Sequence, residues 1–230
     1  MKRSANGNLF CVPILILALT GCKKEATESA APTPVPPPGQ QAQIEAALPS
    51  APSPPRLRPV RDATYGIYMR GSWTLAAPDE ARMKQIGAVT TITLCQEPAE
   101  AACVAVDYAG VVDYLESMRK TAIASGMADI PFHFAVDRAG GAWQLRELKY
   151  EGEYAPGRSV GNVGVLVLGS PYAPMTEYQR QGTRKLIGVL SQKFGVPLRG
   201  VVARDEIVRG DLPGADVKSL VAEIRRAQMR

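Results

Sequence analysis

Two runs of the chain, AVTTITL at 88–94 and VGVLVLG at 163–169, carry no charged side chain. The first is β-branched and reads as a buried strand; the second is a strand apolar throughout. Strands of this kind need cover, and the surrounding sequence supplies it. Residues 110–126, GVVDYLESMRKTAIASG, place Val111, Leu115, Met118 and Ala122 at helical spacing. A second helix is predicted to start at the cap Thr176, to carry Leu186, Ile187, Leu190 and Phe194 on its apolar face, and to stop at Gly195. Between them FHFAVDRAGGAWQLRE (132–147) reads as a hairpin turning at Gly140-Gly141. A last strand at RGVVA (199–203) leads to a helix from Asp216. These elements predict an α/β fold over residues 61–230, a single mixed β-sheet flanked by helices. With 46% hydrophobic and 21% charged residues in 230, the chain has room for one such domain plus appendages.

The appendage is amino-terminal. MKRSANGNLFCVPILILALTGC has two basic residues, an apolar run from Leu9 to Leu19, and small residues before Cys22, the layout of a secretory signal. The run is too short to span a hydrocarbon core of ~30 Å, which takes ~20 apolar residues. Leu19-Thr20-Gly21-Cys22 resembles the bacterial lipobox, in which the cysteine is alkylated by diacylglycerol and the signal is cut before it. The resemblance implies a signal peptide at 1–21 and a membrane anchor at Cys22. Because Lys23 and not Asp follows, it also implies the periplasmic face of the outer membrane in a cell with two membranes. Residues 22–60 are rich in Pro, Ala, Ser and Gln with almost no large apolar side chain, so they cannot offset the entropy of ordering and are expected to form a disordered tether. At ~3.1 Å per residue its upper reach is on the order of 100 Å. The formal charge of +5 includes Lys2 and Arg3 of the signal. What remains is mild and unclustered, and with export it argues against a nucleic-acid partner.

Two further cysteines, Cys95 and Cys103, bracket QEPAEAA. In an exported protein so close a pair is expected to form a disulfide. The alternative is a metal site, but zinc takes about four ligands, and only carboxylates stand near Cys95.

From Ile130 to Gly169 the chain resembles the type 2 N-acetylmuramoyl-L-alanine amidases and the peptidoglycan recognition proteins. IPFHFAVDRAGGAWQLRE is similar to their Tyr-His-Phe strand and hairpin, and GEYAPGRSVGNVGVLVLG to their Gly-x-His-Ala-x-Gly segment with the apolar strand that follows. Arg70-Gly-Ser-Trp73 and the helix TEYQRQGTRKLIGVLSQKFGVP extend the resemblance over roughly 65–225. Taken position by position it implies a changed active site. The three zinc ligands fall on Cys95, Arg204 and Leu212, the assisting tyrosine on Phe132, and the lysine or threonine before the third ligand on Gly210. Arginine is permanently cationic and leucine has no lone pair, so neither ligates zinc. No metal or other cofactor is expected, and no catalytic residue.

His133, the one histidine of the chain, matches a strand histidine that is not a zinc ligand. It reads either as a group hydrogen-bonded within the sheet or as a ligand contact. Arg204, Tyr154 and Ser159 are the other candidate ligand-binding residues; Arg204 could instead pair with Asp205 or Glu206. The expected function is a cell-envelope lipoprotein that binds peptidoglycan, a stem peptide or an envelope partner without hydrolysing it. The alternatives are an active amidase with a rearranged site and a scaffold or regulator whose groove binds nothing.

Overall fold

The computed structural model describes residues 57–99, 102–208 and 214–227. The signal segment 1–21, Cys22, most of the tether 22–60, and both Gly210 and Leu212 lie outside the described residues.

Five strands form one sheet: β1 (Thr91–Gln96), β2 (Phe134–Val136), β3 (Ala142–Gln144), β4 (Asn162–Val167) and β5 (Val201–Ala203), in the order β3-β2-β4-β1-β5. The hairpin β2–β3 is antiparallel and the other pairings are parallel, so the sheet is mixed as expected. β4 is buried at every position, which a central strand covered on both faces requires. Three helices pack on it: α1 (Tyr108–Ala124), α2 (Glu177–Phe194) and α3 (Ala215–Ala227). The side chain of Thr176 accepts from the Gln179 amide, and Gly195 ends α2 in the left-handed conformation at φ 66°, so both predicted boundaries hold. α1 begins two residues before the predicted run because Asp107 caps it, accepting from the Gly110 amide.

Strand alternation divides the core. Ile92, Leu94, Phe134, Val136, Val163, Val165 and Val167 pack with Leu186, Ile187 and Leu190 of α2 and Val217, Leu220 and Val221 of α3. Cys95, Ala135, Trp143 and Leu166 turn the other way, toward Val111 and Leu115 of α1 and toward Trp73. The Arg-x-x-Trp segment closes the hairpin edge. Tyr68 exchanges main-chain bonds with Ala142 and Gln144, each 2.8 Å, and the Trp73 indole donates to the Gln144 carbonyl at 2.7 Å. Arg70 reaches both oxygens of Asp129, at 2.8 and 3.0 Å.

The expected disulfide is not formed: Cys95 and Cys103 are both buried and no bond joins them. Cys95 points from β1 into the α1-side core, and a different residue pins the loop that follows. Glu97 accepts from the Cys103 amide at 2.8 Å and from the Gly169 amide at 2.5 Å, tying the loop after β1 to the end of β4. Burial pushes the Cys103 thiol up to about 11, so it is held as a thiol.

Candidate functional site

The α1 face of the sheet carries the residues that the sequence singled out. Tyr154 lies flat over β4. A Cβ added at Gly164 would come within 2.3 Å of its ring, so glycine at this point of the strand makes room for the aromatic. The ring also stacks on Phe132 with centroids 5.4 Å apart, and its hydroxyl donates to the Asn162 carbonyl at 3.0 Å. Only 3% of Tyr154 is exposed. Burial, with Cys95 nearby, pushes its phenol well above the ordinary range, against a hydrogen bond from Thr93 and the charge of Arg204.

His133 is fully buried and its two ring nitrogens are held by main chain. Nδ1 accepts from the Gly164 amide at 3.0 Å, which leaves the proton on Nε2 to be donated to the Tyr150 carbonyl at 2.8 Å. Burial lowers its pKa to about 4, so it is neutral near pH 7. Ser159, 8% exposed, donates to the Ala155 carbonyl at 2.9 Å. Each of the three bonds a main-chain carbonyl, His133 and Tyr154 against the sheet and Ser159 in the loop before β4.

Arg204 is placed differently. It opens a short 3-10 turn, Arg204–Glu206, directly after β5 and is partly exposed. Of its sequence neighbours, Asp205 pairs with Lys218 at 2.7 Å and Glu206 with Arg225 at 3.0 Å. Leu94 of β1 lies opposite Ala203 of β5, so Cys95 and Arg204, each the next residue, are neighbours, and both act on the Tyr154 phenol. They converge as a buried sulfur, a phenol and a guanidinium. Among the described residues no three of His, Cys, Asp and Glu come together. This donor set does not fit a zinc ion, which takes imidazole, thiolate or carboxylate in a tetrahedral array.

Beside this cluster is an open cavity of about 430 Å³ between α1 and the sheet. Tyr114, Met118 and Thr121 of α1 form one wall, Phe132 and Leu166 contribute from the sheet, and Glu97 joins them from the end of β1. Sequence reasoning marked Phe132 only as a tyrosine position without its hydroxyl, and missed Glu97. The available signal was a carboxylate one residue beyond Gln96 at the end of a buried strand, the end at which open α/β sheets place their sites.

No protein-family model and no curated protein sequence matches the chain. Solved structures do. Peptidoglycan recognition protein SD of Drosophila superposes with a TM-score of 0.61 at 12% identity, covering 67% of this chain and 92% of its own. Bumblebee PGRP-SA gives 0.60 at 17%, covering 68% and 93%. The N-acetylmuramoyl-L-alanine amidase LysC of Clostridium intestinale gives 0.55 at 14%, covering 67% and 93%. The fold is that of the peptidoglycan recognition proteins and type 2 amidases. Nearly the whole of each neighbour is matched, so the fold is present as a complete domain within about two thirds of this chain.

Proposed function

We infer that the chain is an exported, lipid-anchored domain that binds peptidoglycan and does not hydrolyse it. The observation that carries this reading is an open cavity on the α1 face of the sheet, beside Cys95, Tyr154 and Arg204, where no three of His, Cys, Asp and Glu come together among the described residues. Amide hydrolysis by the amidase route needs a metal to generate hydroxide near neutral pH and to polarise the carbonyl. Arg204 and Cys95 cannot supply such a site, and Phe132 lacks the hydroxyl that a catalytic tyrosine would bring. Binding needs only shape and hydrogen bonds. Phe132 offers an aromatic face, Arg204 a planar guanidinium suited to the carboxylates of stem peptides, and the helix wall an apolar surface. A point mutant of Drosophila PGRP-LB has been solved in complex with tracheal cytotoxin, which supports ligand binding as a use of this fold. The segment ending at Cys22 supplies the anchor and residues 22–60 the reach, placing the domain on the periplasmic face of an outer membrane where the cell has one.

The test is incubation with purified sacculi, with and without added zinc, following sedimentation and released peptide together. Co-sedimentation without release is expected. Zinc-dependent release would identify a working amidase with a rearranged site, and failure to sediment would leave a scaffold. Arg204→Ala is expected to weaken binding by about 1.5–3 kcal/mol, the range for a hydrogen bond to a charged group. For the anchor, metabolic labelling with an alkyne fatty acid should mark the wild type and not Cys22→Ala; equal labelling would remove the lipid from the proposal.

A further inference from the structure

The basic residues on the α2 and α3 side of the sheet fall into two groups. Toward α3 they are neutralised: Arg180 and Arg184 both reach Glu223, Lys218 pairs with Asp205, and Arg225 pairs with Glu206. Lys185 and Lys193 of α2 are exposed and pair with no carboxylate among the described residues. They stand eight residues apart with Val189 midway, so the three share one face of the helix. Arg61 and Tyr65 come up beside that face from the segment covering the hairpin edge. Arg61, Tyr65, Lys185 and Val189 line one hollow of about 280 Å³, and Tyr65, Val189 and Lys193 line the next, of about 110 Å³. The acid in this group, Asp62, is occupied by its own turn, accepting from the Thr64 and Tyr65 amides at 3.0 and 2.7 Å. The Arg61 guanidinium lies over the Tyr68 ring at 4.1 Å. Tyr65 is 39% exposed, and Tyr178, two turns back along α2 from Lys185, is 72% exposed. The result is a strip of cations without counter-charges, interleaved with tyrosine rings.

We propose that this strip docks on a membrane surface bearing anionic phospholipids. The first argument is where the chain enters the domain. The described residues begin at Leu57, and the exposed Arg58 comes three residues before Arg61, so the segment that carries Cys22 joins the domain at the cationic face. A bilayer holding a lipid at Cys22 can meet that face without the connecting segment having to cross the domain. The second argument is chemical. Arg58, Arg61, Lys185 and Lys193 are each attracted to an anionic leaflet, and tyrosine rings settle at headgroup depth. The strip exposes no broad apolar surface, so the contact is electrostatic and weakens with salt. A tether makes such a weak contact sufficient, because docking is then intramolecular. The consequence is orientation. α2 covers one face of the sheet, and the open cavity lies on the other, beside α1. A domain resting on α2 turns that cavity away from the bilayer, toward the cell wall. The proposal rests on the exported, lipid-anchored reading above and adds the face by which the domain is held.

The experiment is vesicle flotation of the full chain carrying Cys22→Ser, so that no acyl chain is attached, on phosphatidylcholine alone and on phosphatidylcholine mixed with phosphatidylglycerol. The amino-terminal segment is the same in every variant, so differences among variants read the strip. The parent should bind the anionic vesicles about tenfold or more tightly than the neutral ones. Lys185→Glu with Lys193→Glu should weaken anionic binding by about tenfold or more at an unchanged melting temperature, since both side chains are exposed and unpaired. Lys84→Glu with Lys120→Glu makes the same change in net charge at exposed positions outside the strip and should cost about threefold or less. Equal binding of the parent to the two vesicle types, anionic binding untouched by the α2 pair, or an equal loss in the two charge-matched variants would each overturn the docking face. Sedimentation on sacculi should be the same for the α2 pair as for the parent. Its loss in that pair alone would give the strip to a wall polymer and overturn membrane docking, whereas its absence in the parent, with anionic vesicle binding kept, would overturn the peptidoglycan reading and leave the docking face standing.

Discussion

The same strands show two different chemistries on their two faces. Toward α2 and α3 they present Ile92, Leu94, Phe134, Val136, Val163, Val165 and Val167, hydrocarbon at each position. The alternate residues of the same strands, and those just beyond their ends, mix apolar side chains such as Ala135, Trp143 and Leu166 with Thr93, Cys95, Glu97, His133, Asn162 and Gly164. Several are tied to main chain or to each other; Thr93, for one, donates to the Asn162 side chain at 2.8 Å. One face is a packing surface whose energy comes from area removed from water. The other buries polar groups that add little net stability when satisfied and cost heavily when not, an arrangement that makes sense where a defined groove must be held in shape. A mutation on the first face should change how stable the domain is. On the second it should change what the domain does, with smaller effects on stability.

The largest effect is expected on the hydrocarbon face. Leu94 is fully buried in β1, opposite Val165 and Ala203, and Leu94→Ala should cost about 2–5 kcal/mol in chemical denaturation, as lost transfer energy plus an unfilled cavity. Affinity for sacculi, measured well below the new midpoint, should be unchanged. A matching loss of affinity would dissolve the distinction between the faces.

Next in size is a pH effect confined to the polar face. His133 titrates near 4 in the folded chain and near 6.5 when unfolded, so the unfolded state takes up the proton first as pH falls. The stability it supports is complete above pH 6.5, is lost between 6.5 and 4, and falls no further below that. The span corresponds to about 3 kcal/mol. Urea midpoints at pH 7.5 and 4 should differ more for the wild type than for His133→Gln; equal differences would assign the acid loss to carboxylates such as Glu116, which its hydrogen bond from Arg119 holds below the ordinary range.

How much of this was legible in the sequence follows the same division. The hydrocarbon face could be read because its signals are local and periodic: β-branched runs for β1 and β4, helical spacing in α1, Thr176 and Gly195 at the ends of α2. The polar face could be read only in part. Resemblance drew attention to His133, Tyr154 and Arg204, but whether a side chain turns to a groove or to the backbone behind it depends on contacts made across the sheet. Gly164 supplies an amide to His133 and a vacant Cβ position to Tyr154, and it is distant in sequence from the histidine. Compartment reasoning led to a Cys95–Cys103 bridge, whereas the fold closes that loop through Glu97, which in the sequence was one of several nearby acids.

Gly164→Ala separates packing from chemistry on the polar face. The new methyl would meet the Tyr154 ring, and overpacking of this kind costs about 1–3 kcal/mol. The ring would have to leave its stack with Phe132, so binding to sacculi should weaken although no proposed ligand-contacting side chain is altered. Retained affinity with lowered stability would show that the Tyr154–Phe132 stack does not shape the groove.

The smallest predicted effect is the most discriminating between the two uses of a buried polar group. Tyr154→Phe removes one oxygen and keeps the ring against Gly164 and Phe132. The lost hydrogen bond to the Asn162 carbonyl should cost about 0.5–1.5 kcal/mol. Because that hydroxyl points along the sheet to main chain and not into the cavity, affinity for sacculi should stay within about twofold of wild type, a difference of less than about 0.5 kcal/mol. Stability measured by urea denaturation and affinity measured by sedimentation should thus part company in this variant. A fall in affinity of tenfold or more, at unchanged stability, would mean that the hydroxyl turns to meet the ligand, and Tyr154 would then join Arg204 among the contacts instead of the scaffold.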